Sequence, residues 1–243
     1  MPINDSYDEQ LIIRTISESL DQFYTSLIGK INELKLDEIL KRKNPYLFYA
    51  KSMKSASEII DGILSATVSS SEETIFGTVF FEPLAISASG GQKSLMQGAD
   101  VQITTADAIY IIAVKSGTSV FNSSSKKRQE QEFQLMAKLA QQAKKSFHPI
   151  IGYGYGIKCE KNDKFYQEFA GQRFWEEITG DPEFYVKIIG FMGKMPEEYR
   201  SEFNESYINA KNRLEHEFLN KFCLEDGSID WDKLVKYNSG TKR

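Results

Sequence analysis

Two neighbouring segments rich in β-branched residues, 99–104 and 108–115, most constrain how this chain of 243 residues can fold. The short turn between them predicts a β-hairpin, because β-branched side chains favour extended backbone and so brief a connection joins antiparallel strands. Asp100 stands near the start of the first strand and Lys115 ends the second. We therefore expect these two side chains at the same end of one face of the hairpin.

Helical periodicity surrounds the hairpin on both sides. Helices are predicted at 7–29, 32–42, 55–68, 69–86, 123–146, 173–180 and 197–221, with an aromatic connector at 44–51 and a loop at 87–94. Further strands are predicted at 148–158, 165–169 and 185–191. This order is not the regular βαβα alternation of a Rossmann fold. The predicted fold is therefore α/β of the α+β kind, with a mixed central β-sheet flanked by helices.

Composition indicates where in the cell the protein works and which kind of metal ion it could bind. No apolar run approaches the ~20 residues that a membrane span needs, and the N-terminus shows no signal-peptide pattern. Cys159 and Cys223 lack metal-ligand spacing and are expected as free thiols, so we predict a cytoplasmic protein. With only two histidines, any metal site should consist of carboxylates, which favours Mg²⁺, Mn²⁺ or Ca²⁺. A net charge of −4 argues against general coating of nucleic acid but leaves room for a focused basic cleft.

Asp100 and Lys115 together have the chemistry for phosphodiester hydrolysis. A carboxylate can hold a divalent cation, and a neighbouring lysine can orient an attacking water and stabilise the charge that builds up on a phosphate. The alternative is a plain salt bridge on a surface hairpin, because an Asp and a Lys at this spacing are a weak signal. The hairpin alone does not decide between the two.

One carboxylate is a poor Mg²⁺ site, so the chain should supply another. Glu73 and Glu82, which precede the Gly-Gly loop, and Glu130, on the helix after Lys115, are the candidates. Glu73 could instead be a favourable charge in the first turn of its helix, whereas Glu82 stands in an apolar helix without that explanation. Glu132 is expected off the sheet-facing side of its helix and solvated.

Two segments have the composition of phosphate-binding sites. The loop 90–94, which includes Lys93, could cradle a phosphate through its backbone amides, although a flexible turn also explains it and the P-loop spacing is absent. Asn122, Ser123 and Lys126 begin a helix, and helix N-termini bind phosphate readily. Simple capping explains the serines equally well.

These residues resemble the PD-(D/E)xK nuclease superfamily. The match rests on GAD at 98–100, IIAVKSG at 111–117 and the Asn-Ser-Ser helix start at 122–124. The chain looks most like one group of type II restriction endonucleases, which cut short GC-rich interrupted palindromes. That similarity extends over about residues 44–237 and includes the segments 69–85, 90–94, 171–185 and 226–234.

The resemblance implies a sequence-specific endonuclease that hydrolyses double-stranded DNA with Mg²⁺, for which Mn²⁺ could substitute. It implies a restriction-endonuclease-like domain at 44–243, preceded by a helical region at 1–43 for DNA contact or dimerisation. It also implies a homodimer, no membrane contact, and a cognate DNA methyltransferase in the same system without a stable complex.

The resemblance assigns roles residue by residue. Asp100 would be the motif aspartate and a metal ligand, together with the Val114 backbone carbonyl, and Lys115 would be the motif lysine. Five further residues would contact DNA: Lys93, Ser116, Asn122, Ser123 and Lys126.

Ala113 departs from the superfamily pattern, which usually has Glu or Asp at this position. Members that lose this acid often supply one from a neighbouring helix, which makes Glu73 or Glu82 the expected substitute and Glu130 the next. Two alternatives stay open: a DNA-binding protein that has lost catalysis, and a structure-selective repair or junction nuclease.

Overall fold

The computed structural model describes residues 3–4, 6–158 and 165–241, so the predicted free thiol of Cys159 lies outside the described residues. By its backbone contacts the chain forms two compact units. Unit 1 comprises Met1–Phe23 and Phe76–Pro196, and unit 2 comprises Tyr24–Ile75 and Glu197–Arg243. Neither unit has a limit at residue 43, and the functional division proposed there stays a prediction.

Unit 1 is built on a mixed sheet whose five strands follow one another in sequence order. The strands are β1 (Gln92–Lys93), β2 (Val101–Thr104), β3 (Ala108–Lys115), β4 (Ser146–Tyr153) and β5 (Gln167–Ala170). The pairs β1–β2 and β2–β3 are antiparallel, whereas β3–β4 and β4–β5 are parallel. The predicted hairpin and the mixed sheet flanked by helices are both confirmed.

The helices differ in length and in the unit to which they belong. In chain order they are α1 (Glu9–Asn32), α2 (Leu36–Leu40), α3 (Pro45–Ala50), α4 (Ala56–Val79), α5 (Phe81–Ser89), α6 (Ser123–Gln142), α7 (Gln172–Thr179), α8 (Phe184–Met192), α9 (Met195–Phe222) and α10 (Trp231–Ser239). Helices α5 to α8 belong to unit 1, and α2, α3 and α10 belong to unit 2. Within the described residues, none of the helices has the length and apolarity to cross a membrane.

An apolar core joins one face of the sheet to α6. Phe133 and Met136 of α6 pack in one cluster with Ile111, Ala113 and Ile151. Phe133, Ile111 and Ile151 are fully buried, and each contributes roughly 1.5–3 kcal/mol through removal of its side chain from water. This core fixes the helix that follows Lys115 against the strands.

Gly152 of β4 and Gly154, just beyond its end, allow aromatic side chains to approach the backbone closely. A Cβ at Gly152 would overlap the ring of Phe174, and a Cβ at Gly154 would overlap the ring of Phe81. Trp175, also fully buried, donates a 2.8 Å hydrogen bond from its indole nitrogen to the Gly154 carbonyl. Helices α5 and α7 therefore pack directly against the backbone at the carboxyl end of β4.

Unit 2 is helical, and side chains satisfy several of its helix ends. Asn238 donates to the carbonyls of Leu40 and Lys43 at 2.7 and 2.8 Å. Arg213 donates to the carbonyl of Leu34 at 2.7 Å. Because the last carbonyls of a helix lack partners within it, these bonds stabilise the turns between the short helices.

Several predicted elements need correction. The connector at 44–51 is the helix α3, because Asn44 caps its first turn and Pro45 occupies the first helical position. The run from Ser69 does not begin a helix: α4 continues through it to Val79, and the Ser71 hydroxyl donates to the Thr67 carbonyl at 2.7 Å. A separate helix, α5, then follows.

Two predicted strands and one predicted loop also differ from the structure. The segment 185–191 is not a strand but lies in α8, where Phe184 and Ile188 are buried on one helix face. Strand β4 ends at Tyr153 rather than at residue 158, and the predicted loop at 87–94 contains the short strand β1.

Candidate active site

The backbone brings Asp100 and Lys115 together at one edge of the sheet. In the antiparallel ladder of β2 and β3, Val101 pairs with Ile112. One residue earlier, the Asp100 N–H donates to the Ile112 carbonyl at 2.9 Å. Asp100 therefore lies beside the carboxyl end of β3, where Lys115 is the last residue.

The two side chains form a compact unit with Val114. Asp100 Oδ2 accepts hydrogen bonds from the Val114 N–H at 2.6 Å and from Lys115 Nζ at 3.3 Å. Lys115 Nζ also donates to the Val114 carbonyl at 2.9 Å. The Asp100 and Lys115 side chains are 25% and 29% exposed, so solvent reaches both. The ammonium group thus lies between the two oxygen groups that are predicted to hold a metal.

Ala113 is fully buried in the apolar cluster under α6. Its register partner on β4 is Ile151, also fully buried. A carboxylate at this position would lie among apolar side chains and would have to be compensated there. The local packing therefore matches the alanine, and the predicted second acid would come from another element.

Glu82 is linked to Asp100 through Lys93. Glu82, on α5, is 27% exposed and forms an ion pair with Lys93 Nζ on β1 at 3.0 Å. The hydrogen bond from Lys93 to Glu82 raises the pKa of Lys93, and the charges of Glu82 and then Asp100 raise it further. One lysine therefore lies within the electrostatic reach of both carboxylates.

The other predicted acids lie on other helices. Glu73 lies in the part of α4 that belongs to unit 2, where its side chain is exposed. Glu130 is partly buried on α6. The expectation that Glu132 is solvated is wrong: its side chain is 17% exposed and packs against Gly98, where a Cβ would overlap it. Buried Gln129 also faces Gly98 and donates to its carbonyl at 2.6 Å.

The predicted DNA-contact residues have varied local roles. Ser116 packs against Gly77, where a Cβ would lie 3.1 Å from it. Asn122 caps α6 by accepting from the Ser125 N–H at 2.8 Å, and Ser123 is exposed in the first turn. Lys126 pairs with Glu168 at 2.9 Å. Capping explains Asn122, and DNA contact by these residues stays a prediction.

The sequence reasoning missed a second cluster around Glu168 on β5. This carboxylate is 6% exposed, and it forms ion pairs with Lys126 and Lys158. It also accepts a 2.9 Å hydrogen bond from the buried hydroxyl of Tyr153. The available signal was a glutamate inside a short strand whose neighbours Phe169 and Ala170 are apolar.

The donors at the site suit a hard cation. The Asp100 carboxylate and the Val114 carbonyl are oxygen ligands, which Mg²⁺ and Mn²⁺ prefer. They already share one positive charge, the Lys115 ammonium. Across the described ranges there is no group of three or more His, Cys, Asp or Glu residues that could hold a metal ion.

The mixed sheet with an acid and a lysine at adjacent strand ends defines a restriction-endonuclease-like nuclease core. Comparison with known families agrees, since residues 10–199, more than half of the chain, match the family model described as Type II restriction endonuclease EcoO109I. The chain belongs to this family of type II restriction endonucleases. No curated protein shows significant similarity to it. It is accordingly a site-specific deoxyribonuclease, a hydrolase that acts on double-stranded DNA in restriction-modification.

Proposed function

We propose that this endonuclease cleaves both strands of a short symmetric DNA site in a Mg²⁺-dependent reaction centred on Asp100 and Lys115. The observation that carries the proposal is the contact of the Lys115 ammonium with both Asp100 Oδ2 and the Val114 carbonyl. A phosphate brought to this edge would meet a fixed carboxylate and a partly exposed lysine side chain.

Asp100, the Val114 carbonyl and Glu82 would hold Mg²⁺, and Mn²⁺ could substitute for it. The bound metal ion supplies Lewis-acid stabilisation of charge on the phosphate oxygens. Glu82 is favoured over Glu73 and Glu130 because it forms an ion pair with Lys93, and the charge of Asp100 also raises the pKa of Lys93.

The protein groups have distinct tasks. The Val114 N–H fixes the orientation of the Asp100 carboxylate through its 2.6 Å hydrogen bond. Lys115 can direct its N–H groups at a non-bridging phosphate oxygen or at the attacking water, because its side chain is partly exposed. Loss of either side chain should therefore slow bond cleavage rather than only weaken DNA binding.

The DNA contacts are proposed from charge and position. Lys93 and Lys126 lie on elements that flank the strand ends, and both can approach phosphates. Ser116, Asn122 and Ser123 belong to the segment that connects β3 to α6 and would add hydrogen bonds to the backbone of the DNA.

The wider assignment follows from cleavage of both strands. A symmetric DNA site requires two copies of the active site, which a homodimer supplies. We further propose a GC-rich interrupted palindrome as the target, a cognate methyltransferase that protects it, and the cytoplasm as the location. The N-terminal region 1–43 would contribute DNA contact or dimerisation.

The test is digestion of plasmid DNA with and without Mg²⁺, followed by sequencing of the fragment ends. Discrete fragments with one shared end sequence are expected only with the metal ion. One observation, the burial of Ala113 where the superfamily usually has an acid, supports a rival hypothesis. In this rival the protein binds DNA but does not cleave it. This rival predicts specific binding with intact DNA, and preferential cutting of branched DNA without a shared end sequence would instead indicate a structure-selective nuclease.

A further inference from the structure

The segment Tyr155–Lys158, which follows β4, begins beside the candidate active site. Because β3 and β4 are parallel, their carboxyl ends lie at the same edge of the sheet. Beyond the last paired residues, the Gly154 N–H donates to the Lys115 carbonyl at 2.8 Å, and the Tyr155 N–H donates to the Ser116 carbonyl at 3.0 Å. The segment therefore leaves the sheet immediately next to the catalytic lysine.

The backbone of this segment is held in a defined conformation. Gly156 has φ +102°, a value that side chains other than glycine rarely adopt. Its carbonyl faces Gly171, where a Cβ would lie only 2.6 Å from the oxygen. The Tyr155 ring packs over Gly117, where a Cβ would lie 2.6 Å from the ring, and it lies 6.0 Å from the ring of Phe81.

Within this fixed segment, Ile157 is 98% exposed. Burying an isoleucine is worth roughly 1.5–3 kcal/mol, so the fold gains nothing from an isoleucine at this place. Its neighbour Lys158 is anchored by an ion pair to the buried Glu168, which also pairs with Lys126. Two lysines thus share one carboxylate beside a projecting apolar side chain.

We propose that Tyr155–Lys158 is a DNA-reading segment in which Ile157 contacts base edges and contributes to sequence discrimination. This inference rests on the proposed cleavage of DNA at the neighbouring Asp100 and Lys115. DNA is the occupant that fits, because the segment leaves the sheet beside Lys115, where the phosphate of the DNA is proposed to bind. The exposed side chain of Ile157 can contact a thymine methyl group or enter between base steps.

The first experiment compares Ile157→Ala with Ile189→Ala, since Ile189 is a 70% exposed isoleucine on α8. Cleavage rates are measured on a duplex with the target site and on duplexes with single base changes, after the site has been read from fragment ends. Ile157→Ala should lower the preference for the true site about 10-fold at one or more positions, which corresponds to the loss of one base contact. Ile189→Ala should discriminate as the wild type does, and equal discrimination by both variants would overturn the proposal.

The second experiment does not need cleavage. Ile157→Trp should change its fluorescence when duplex DNA is added, whereas Ile189→Trp should not. Wild-type protein that yields no discrete fragments would count against the proposed function, yet the fluorescence change would still support the reading segment. Absence of that fluorescence change would show that Ile157 contacts no DNA. A change that depends on protein concentration and accompanies altered sedimentation would show that Ile157 instead contacts a second copy of the chain.

Discussion

Two sites on the sheet of unit 1 where lysine meets a carboxylate, one around Asp100 and one around Glu168, differ most in burial. At the strand end, Asp100 and Lys115 are 25% and 29% exposed. On β5, Glu168 is only 6% exposed, and it is engaged by Lys126, Lys158 and the hydroxyl of Tyr153. The first site is open on one side, whereas the second is closed by its own donors.

The exposure of the Asp100–Lys115 pair is compatible with exchange of its cation. The burial of the Glu168 cluster indicates that it stabilises the fold. A buried carboxylate with several donors loses much stability when it is altered, because the remaining groups are left without partners. A partly exposed pair contributes little to stability, because water and salt screen it. The exposure of Asp100 therefore suits the role proposed for it, while Glu168 links Lys158 after β4 to the strand β5 and the start of α6.

The largest expected effect concerns catalysis at the open pair. Asp100→Asn and Lys115→Ala should each lower the rate of plasmid cleavage at least ~100-fold, because each removes a group that stabilises the transition state. The free energy of unfolding should change by less than ~1 kcal/mol. Lys187→Ala, which breaks the ion pair with Asp181 on a different part of unit 1, is the matched control. Near wild-type cleavage by either variant would remove these residues from the active site.

A smaller effect should identify the second acid. Glu82→Gln should raise the Mg²⁺ concentration for half-maximal cleavage by about 10-fold, because it weakens the metal site without removing Asp100. Glu73→Gln and Glu130→Gln serve as parallel variants, measured by the same titration. If all three retain the wild-type midpoint, the idea that a helix glutamate compensates for Ala113 is wrong.

At the closed cluster the main effect should be on stability. Glu168→Gln should lower the free energy of unfolding by about 1–3 kcal/mol, because the two lysines and the tyrosine lose a charged acceptor. Urea denaturation measures this loss, and Asp181→Asn, at a more exposed ion pair, should cost less than ~1 kcal/mol. Equal losses in the two variants would show that burial does not distinguish these sites.

The smallest effect is a pH dependence at Tyr153. Burial, and then the hydrogen bond to Glu168, raises the pKa of Tyr153 well above its ordinary value of 10.0. The neutral hydroxyl therefore stabilises the folded state fully below pH 10, and this stability is lost as the pH rises from 10 towards the raised pKa. Tyr153→Phe should be about 1 kcal/mol less stable at pH 8, and the gap should narrow above pH 10. A gap that stays constant in urea titrations at both pH values would contradict this.

The sequence predicted those parts of the molecule that depend on neighbouring residues. The hairpin of β2 and β3, the helix α6 and the meeting of Asp100 with Lys115 all follow from local pattern and a short turn. Helix α8 was missed because its apolar residues suit a strand as well, and only packing of Phe184 and Ile188 decides between them.

The Glu168 cluster could not be predicted in the same way. Its members come from α6, β4, β5 and the segment after β4, and nothing in the local pattern around Lys126 or Lys158 shows that they meet. The parallel register that joins Ile151 to Glu168 on one side and to Ala113 on the other becomes visible only in the folded sheet.

Phe174 packs closely against Gly152, and Phe81 packs closely against Gly154. These contacts limit which sequence changes the protein can accept during evolution. Strand β4 stands between the strand that ends in Lys115 and the strand that carries Glu168. Any side chain larger than glycine at these positions would push an aromatic helix residue off the sheet and disturb the spacing of both neighbours. Descendants of this chain that acquire new DNA targets would therefore be expected to change the projecting segments at the sheet edge and to leave these two positions untouched.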